Sequence, residues 1–139
     1  HGEAIEAGRA LTYRNWDVMH RHRGETRQRW AEFFTGVDVL LCPTTVVPPF
    51  RHVHATDGPN WSHARLDDHD RPYVDLLPWN TMIGSAYLPV TVPPIGRTPD
   101  GLPIGIQVVA PYLHDRTALA FARCISDVLG GYTPPPAAM

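Results

Sequence analysis

The sequence has 139 residues, 43% of them hydrophobic and 19% charged, with a formal net charge of −2. That is enough for one domain burying roughly two thirds of its unfolded surface, without the basic surplus of a nucleic-acid binder or the charge excess of a disordered chain. No apolar run is long enough to span a bilayer and no secretory signal is visible, so neither nucleic acid nor membrane is expected as a partner.

The two cysteines, Cys42 and Cys124, lie far apart and outside any CxxC spacing. They read as small buried side chains in a reducing, cytoplasmic setting. The 15 prolines and 11 glycines gather in the middle and at the C-terminal end, where they mark loops. The chain opens on His1 rather than Met, and a longer parent polypeptide is the expectation.

Residues 3–35 are expected to be helical. Ala4, Ile5, Gly8 and Leu11 recur at helical spacing, and Thr12 is a break or cap. A longer helix over 13–35 would turn Trp16, Met19, Arg23, Trp30, Phe33, Phe34 and Val37 inward, with Gly36 as its C-terminal stop. Gly24 weakens its middle by about 1 kcal/mol relative to alanine. Arg21, Arg23, Arg27 and Arg29 crowd Glu25 there. This run reads either as a solvated, salt-bridged face or as an anion or nucleic-acid patch, and the overall charge argues against nucleic acid.

Residues 37–42 form a short apolar run, read as a buried strand closed by Pro43-Thr44-Thr45. Residues 46–78 are expected to be a long irregular loop. It holds His52, His54, His63 and His69 among Asp57, Asp67, Asp68 and Asp70. On an extended segment His52 and His54 could face one metal ion, as in a metal-binding hydrolase; no HExxH or CxxC spacing supports this, and a polar surface loop explains the same residues. Residues 78–87 are read as a short helix or turn.

Residues 88–110 are the organising stretch, a β-hairpin with strands at 89–95 and 102–110 joined through Gly96-Arg97-Thr98-Pro99-Asp100-Gly101. Asp-Gly is a strong turn signal because both residue types tolerate positive φ. In the second strand Ile104, Ile106 and Val108 share one face, and Gly105, Gln107 and Val109 the other, so cover on both sides is expected. Gln107, an amide among apolar neighbours, must find a partner. Residues 115–129 form a final helix with Asp115 as N-cap, an apolar stripe of Ala118, Leu119, Ala122, Ile125, Val128 and Leu129, and a stop at Gly130-Gly131. Residues 132–139 are a tail.

One ordered set of residues carries a resemblance. Pro89, Val92, Pro93 and Gly96, then Gly101-Leu102-Pro103, Gly105, Gln107, Pro111 and Asp115, resemble the C-terminal signature of the amidase signature family, serine hydrolases that cleave carboxamides. Asp38, Leu41, Pro43 and Thr44 are similar to a strand end that lies near the substrate in that family. The resemblance implies an α/β fold: the C-terminal part of the amidase-signature fold, a mixed β-sheet with the hairpin flanked by helices. It implies a Ser-cisSer-Lys mechanism without a cofactor or metal, a small-molecule amide as substrate, and the rest of the amidase chain as partner.

The reactive groups themselves are missing from this sequence. All 12 basic residues are arginine, the only serines are Ser62, Ser85 and Ser126, and there is no Gly-Ser-Ser. Arginine cannot stand in for a neutral lysine base. No residue here is therefore expected to be catalytic. The piece would supply sheet core and pocket wall, with Thr44, Trp79, Met82, Tyr87 and Gln107 as wall candidates, and it would tend to self-associate through exposed apolar surface. Two departures stand out. The family's NxxGxP pattern places its glycine at Tyr87, and Asp75 does not sit where glutamine-binding members carry their acid. Both argue against a glutamine amidotransferase. A metal site on His52 and His54, or an interaction module without chemistry, are the alternatives.

Overall fold

The computed structural model describes residues 2–50 and 63–135. The chain begins with α1 (Gly2–Arg9) and α2 (Tyr13–Phe33). Thr12 is the N-cap between them, as its sequence position suggests: its side chain accepts a hydrogen bond from the Asn15 amide at 3.3 Å. The stop of α2 differs from expectation. Phe34 is the C-cap, and Gly36 is not in the left-handed region. Trp30, Phe33 and Phe34 lie ring to ring, mostly edge-on, at centroid distances of 5.1–5.9 Å, and Trp30 and Phe34 pack against the core at this end of the helix.

A strand, β1 (Leu40–Pro43), follows. The stretch expected to be one irregular loop contains regular structure: β2 (His63–Leu66) and β3 (His69–Pro72) form an antiparallel hairpin, followed by a 3-10 turn over Tyr73–Leu76. Its two-residue turn, Asp67-Asp68, takes φ of 45° and 65°, the doubly left-handed geometry that suits the twist of flanking strands. His52 and His54 lie outside the described residues. Next comes α3 (Pro78–Ser85), started by proline in its first turn.

The hairpin at 88–110 is present, but its first arm is broken in two. β4 (Val90–Thr91) and β5 (Pro94–Arg97) both pair with β6 (Pro103–Val109), with a register shift between Pro94 and Gly96. Pro93 and Pro94 have no N–H to give, so a continuous ladder cannot run through them. The connection is also not the turn that Asp-Gly alone suggests. Only Gly101 takes positive φ, at 84°; its amide bonds to the Thr98 carbonyl at 2.9 Å, and the Thr98 hydroxyl accepts from the Leu102 amide at 3.0 Å. Pro99 at the second turn position and glycine at the fourth fit a type I turn closed by a bulge.

β6 is the centre of the sheet, with β1 on one side and β4 on the other, and every pairing among the described residues is antiparallel. The parallel partners of a mixed sheet are thus not among these strands. Both faces of β6 are covered, as its alternation requires. On one side Val109 joins Cys42, Ile83, Ala86 and Leu88, with Trp30, Phe34, Leu40 and Trp79 around them. On the other, Val108 and Ala110 meet α4 (Asp115–Leu129) through Ala118 and Ala122, with Val39 and Ile125 alongside. Ala118 and Ala122 are one turn apart on one helix face, and their small size lets α4 lie close against the strand.

The N-cap of α4 is His114, without a side-chain bond, and Asp115 is the first helical residue, where its charge suits the helix dipole. Gly130 ends α4 at φ 90°, as expected. Much of both outer helices is uncovered. None of the residues of α2 is fully buried: of the predicted inward stripe, Trp30 and Phe34 pack half-buried against the core, whereas Trp16, Met19, Phe33 and Val37 are exposed. On α4, Leu119, Val128 and Leu129 are exposed too. No described helix is long and apolar enough to cross a membrane.

Candidate functional site

The five wall candidates do not form one cluster. One of them, Gln107, is tied to the end of β1, the residue before another, Thr44. Cys42 pairs with Gln107 and Pro43 with Ile106 across the β1–β6 ladder, which brings the Gln107 side chain beside the strand's last carbonyl. Its amide Nε2 donates to the Pro43 carbonyl oxygen at 2.7 Å, and Gln107 is only 4% exposed. The buried amide thus has its partner, and it fixes the point where the chain leaves the sheet into Thr44. Thr45 then bends the backbone, its hydroxyl donating to the Val47 carbonyl at 2.6 Å.

Gly105 makes this corner possible. A Cβ placed there would lie 2.7 Å from Val92 Cγ1, 3.3 Å from the Pro93 carbonyl oxygen and 4.0 Å from Thr44 Cγ2. Only glycine lets the Val92-Pro93 crossing approach β6 so closely. Replacing Gly105 with alanine is expected to cost about 1–3 kcal/mol by overpacking; a chemical-denaturation midpoint unchanged in Gly105→Ala would show that Val92 and Pro93 can move aside.

Trp79 is half-buried against the Cys42, Ile83 and Val109 cluster, on the sheet face that Gln107 shares. Met82 is exposed on α3. Tyr87 stands apart from both. It sits where the resemblance described above leads one to expect glycine, and its backbone takes the conformation glycine favours, φ 59°. A tyrosine there is strained, and its ring is held by α2: Arg23 Nη1 donates to the Tyr87 hydroxyl at 2.6 Å, and the Arg23 and Arg27 guanidinium carbons lie 4.9 and 5.8 Å from the ring centre. The sequence reading missed Tyr112, whose ring stacks on the Arg27 guanidinium at 3.8 Å. No local pattern links residues so distant in the chain.

The described residues offer little reactive chemistry of their own. Burial pushes the Cys42 thiol up from its ordinary range and keeps it protonated. No group of three or more His, Cys, Asp or Glu side chains comes together among the described residues to hold a metal ion. A shallow cavity of about 500 Å³ lies beside the β2–β3 hairpin, lined by Asp67, His69, Arg71 and Asp75 with Val46 and Val74. Arg71 and Asp75 pair with each other there at 3.7 Å.

These elements define an α/β piece in which one antiparallel strand, covered by helices on both faces, carries an amide-tied strand end. The chain belongs to the amidase family: the family model described as Amidase matches residues 2–119. It is similar to a glutamyl-tRNA(Gln) amidotransferase subunit of Salinibacter ruber, with 32% identity over 126 residues, covering 89% of this chain and 22% of that protein. It is also similar to fatty-acid amide hydrolase 2-A of Danio rerio, with 46% identity over 113 residues, covering 80% of this chain and 18% of that protein. A crystal structure of an amidase shares the fold at a TM-score of 0.74 and 24% identity, over 92% of this chain and 28% of that one. The chain thus spans 18–22% of the length of these two curated relatives. Family membership does not favour the metal-binding alternative built on His52 and His54.

Proposed function

We propose that this chain is the C-terminal portion of an amidase that hydrolyses a small carboxamide, with a Ser-cisSer-Lys set contributed by sequence N-terminal to residue 1. The observation that carries the reading is a contrast. The family model matches from residue 2 to residue 119, yet the sequence contains no lysine and no Gly-Ser-Ser. Acyl-enzyme chemistry needs an activated nucleophile and a base able to be neutral at working pH, and arginine fails the second requirement.

In this reading Gln107 and Thr44 shape one wall of the substrate pocket from the end of β1, and Trp79 and Met82 line it for an apolar or aryl group. Tyr87 remains a wall candidate, turned toward α2. The exposed apolar residues of α2 and α4 are covered by the remainder of the polypeptide, and the isolated piece self-associates. The enzyme works in the cytoplasm. The fatty-acid amide hydrolase relative supports an apolar acyl group, and the displaced glycine at Tyr87 speaks against glutamine.

The test is made on the full-length protein with benzamide, a long-chain fatty amide and L-glutamine as substrates. Ammonia release from one or both of the first two is expected, with hydroxylamine-trappable acyl groups on a serine outside residues 1–139. An acyl adduct inside 1–139, or turnover abolished by a metal chelator, would refute the reading.

A further inference from the structure

The arginine run on α2 is not a uniformly solvated face. Arg23 and Arg27 are one helical turn apart, and both guanidinium groups are drawn to the Tyr87 ring, with Arg27 also laid over Tyr112. Two like charges at this spacing repel each other. Among the described residues the ion pairs run from Arg9 to Glu6, Arg21 to Asp17, Arg65 to Asp68 and Arg71 to Asp75. Neither Arg23 nor Arg27 belongs to one. Their neighbours are two phenol rings, which attract a cation through the ring face but bring no negative charge.

A second observation points the same way. The Arg27 Nε is sealed from solvent and has no hydrogen-bond acceptor. A guanidinium N–H out of water without an acceptor is unfavourable. Tyr87 also holds a backbone conformation that disfavours its own side chain, and its ring is what gathers the two cations. The aromatic rings fix the arginines in place; they leave the charge and the Nε donor unmet.

We propose that Arg23 and Arg27, steadied by Tyr87 and Tyr112, form a receptor for one carboxylate. A carboxylate is the small planar anion whose two oxygens match paired N–H groups of a guanidinium; with the Arg27 Nε closed off, it would meet the outer Nη edge, and the desolvated cation gains its counter-charge there. One carboxylate offsets one of the two positive charges and so relieves the repulsion between Arg23 and Arg27. The carboxylate comes either from an acidic side chain in the remainder of the polypeptide or from a free carboxylate in solution. Only the side-chain source rests on reading this chain as part of a longer amidase; the receptor itself rests on the geometry.

The experiment uses the full-length protein and its Arg27→Gln, Arg27→Lys and Arg23→Gln variants. Melting temperature is followed against sodium acetate, with sodium chloride at equal ionic strength as the reference. In parallel, each Asp and Glu outside residues 1–139 is neutralised to Asn or Gln, alone and combined with Arg27→Gln. If the source is free, acetate raises the melting temperature of the native protein by about 2 °C or more and leaves Arg27→Gln unmoved. If the source is a side chain, acetate does nothing, but one neutralisation lowers the melting temperature and its loss does not add to that of Arg27→Gln. No response to acetate, together with additive losses for every acid tested, overturns the proposal and leaves the pair held by the tyrosines alone. Should Arg27→Gln not fold, the same comparisons run with Arg23→Gln. Amide turnover measured on the same samples reports the failure of the amidase reading separately.

Discussion

Replacing Ile83 with alanine in the full-length protein lowers its unfolding free energy by about 2–5 kcal/mol, read from the denaturant midpoint at constant slope. Ile83 is 1% exposed and sits at the centre of the cluster formed with Cys42, Ala86, Leu88 and Val109. Its neighbours come from β1, from β6 and from the chain following α3, so no single element can collapse into the space left behind. The loss reaches the site as well. The same helix carries Trp79 and Met82 and leads into Tyr87, and the Ile83 carbonyl accepts the Ala86 and Leu88 amides that turn the chain toward β4. A loss below about 1 kcal/mol would mean that α3 is only loosely seated on the sheet.

Gln107→Ala carries the second large effect. It removes the donor of the 2.7 Å bond to the Pro43 carbonyl and leaves that acceptor facing a small apolar side chain. The cost is about 1–3 kcal/mol. Because the bond ties β6 to the exit of β1, the position of Thr44 depends on it, and, on the proposed reading as part of an amidase, amide turnover by the full-length protein is expected to fall together with the melting temperature. Turnover that falls at an unchanged melting temperature would instead put Gln107 at the reacting centre. An unchanged value of both would show that neither strand end nor pocket needs the amide.

The elements the sequence made legible are those whose signals are local. The cap at Thr12, Gly130 at the end of α4 and the alternation along β6 each depend on a few neighbouring residues. The β2–β3 hairpin escaped because each strand has four residues and β3 is polar and exposed throughout, so the brief alternation of Ala64 and Leu66 in β2 has no matching partner pattern. The signal that would have found it was Asp67-Asp68, a pair of residues that accept left-handed backbone at low cost. The break between β4 and β5 was readable in Pro93-Pro94, which cannot donate to a ladder; the apolar character of the arm concealed it. Thr44 and Gln107 were legible as candidates from the resemblance, but the bond from Gln107 to Pro43, next to Thr44, depends on the register of β1 against β6.

From the order of its residues alone, this chain commits to a hairpin, a terminal helix and a resemblance to the amidase family, and it contains no lysine and no Gly-Ser-Ser. Those properties follow from short-range backbone preferences and from which side chains are present at all. Tertiary structure decided what the side chains do. It joined Gln107 to Pro43, required glycine at 105, and brought Tyr87 and Tyr112 onto two arginines of α2. Such contacts join residues far apart in sequence, and only the register of strands and the seating of helices brings them within hydrogen-bonding or stacking distance.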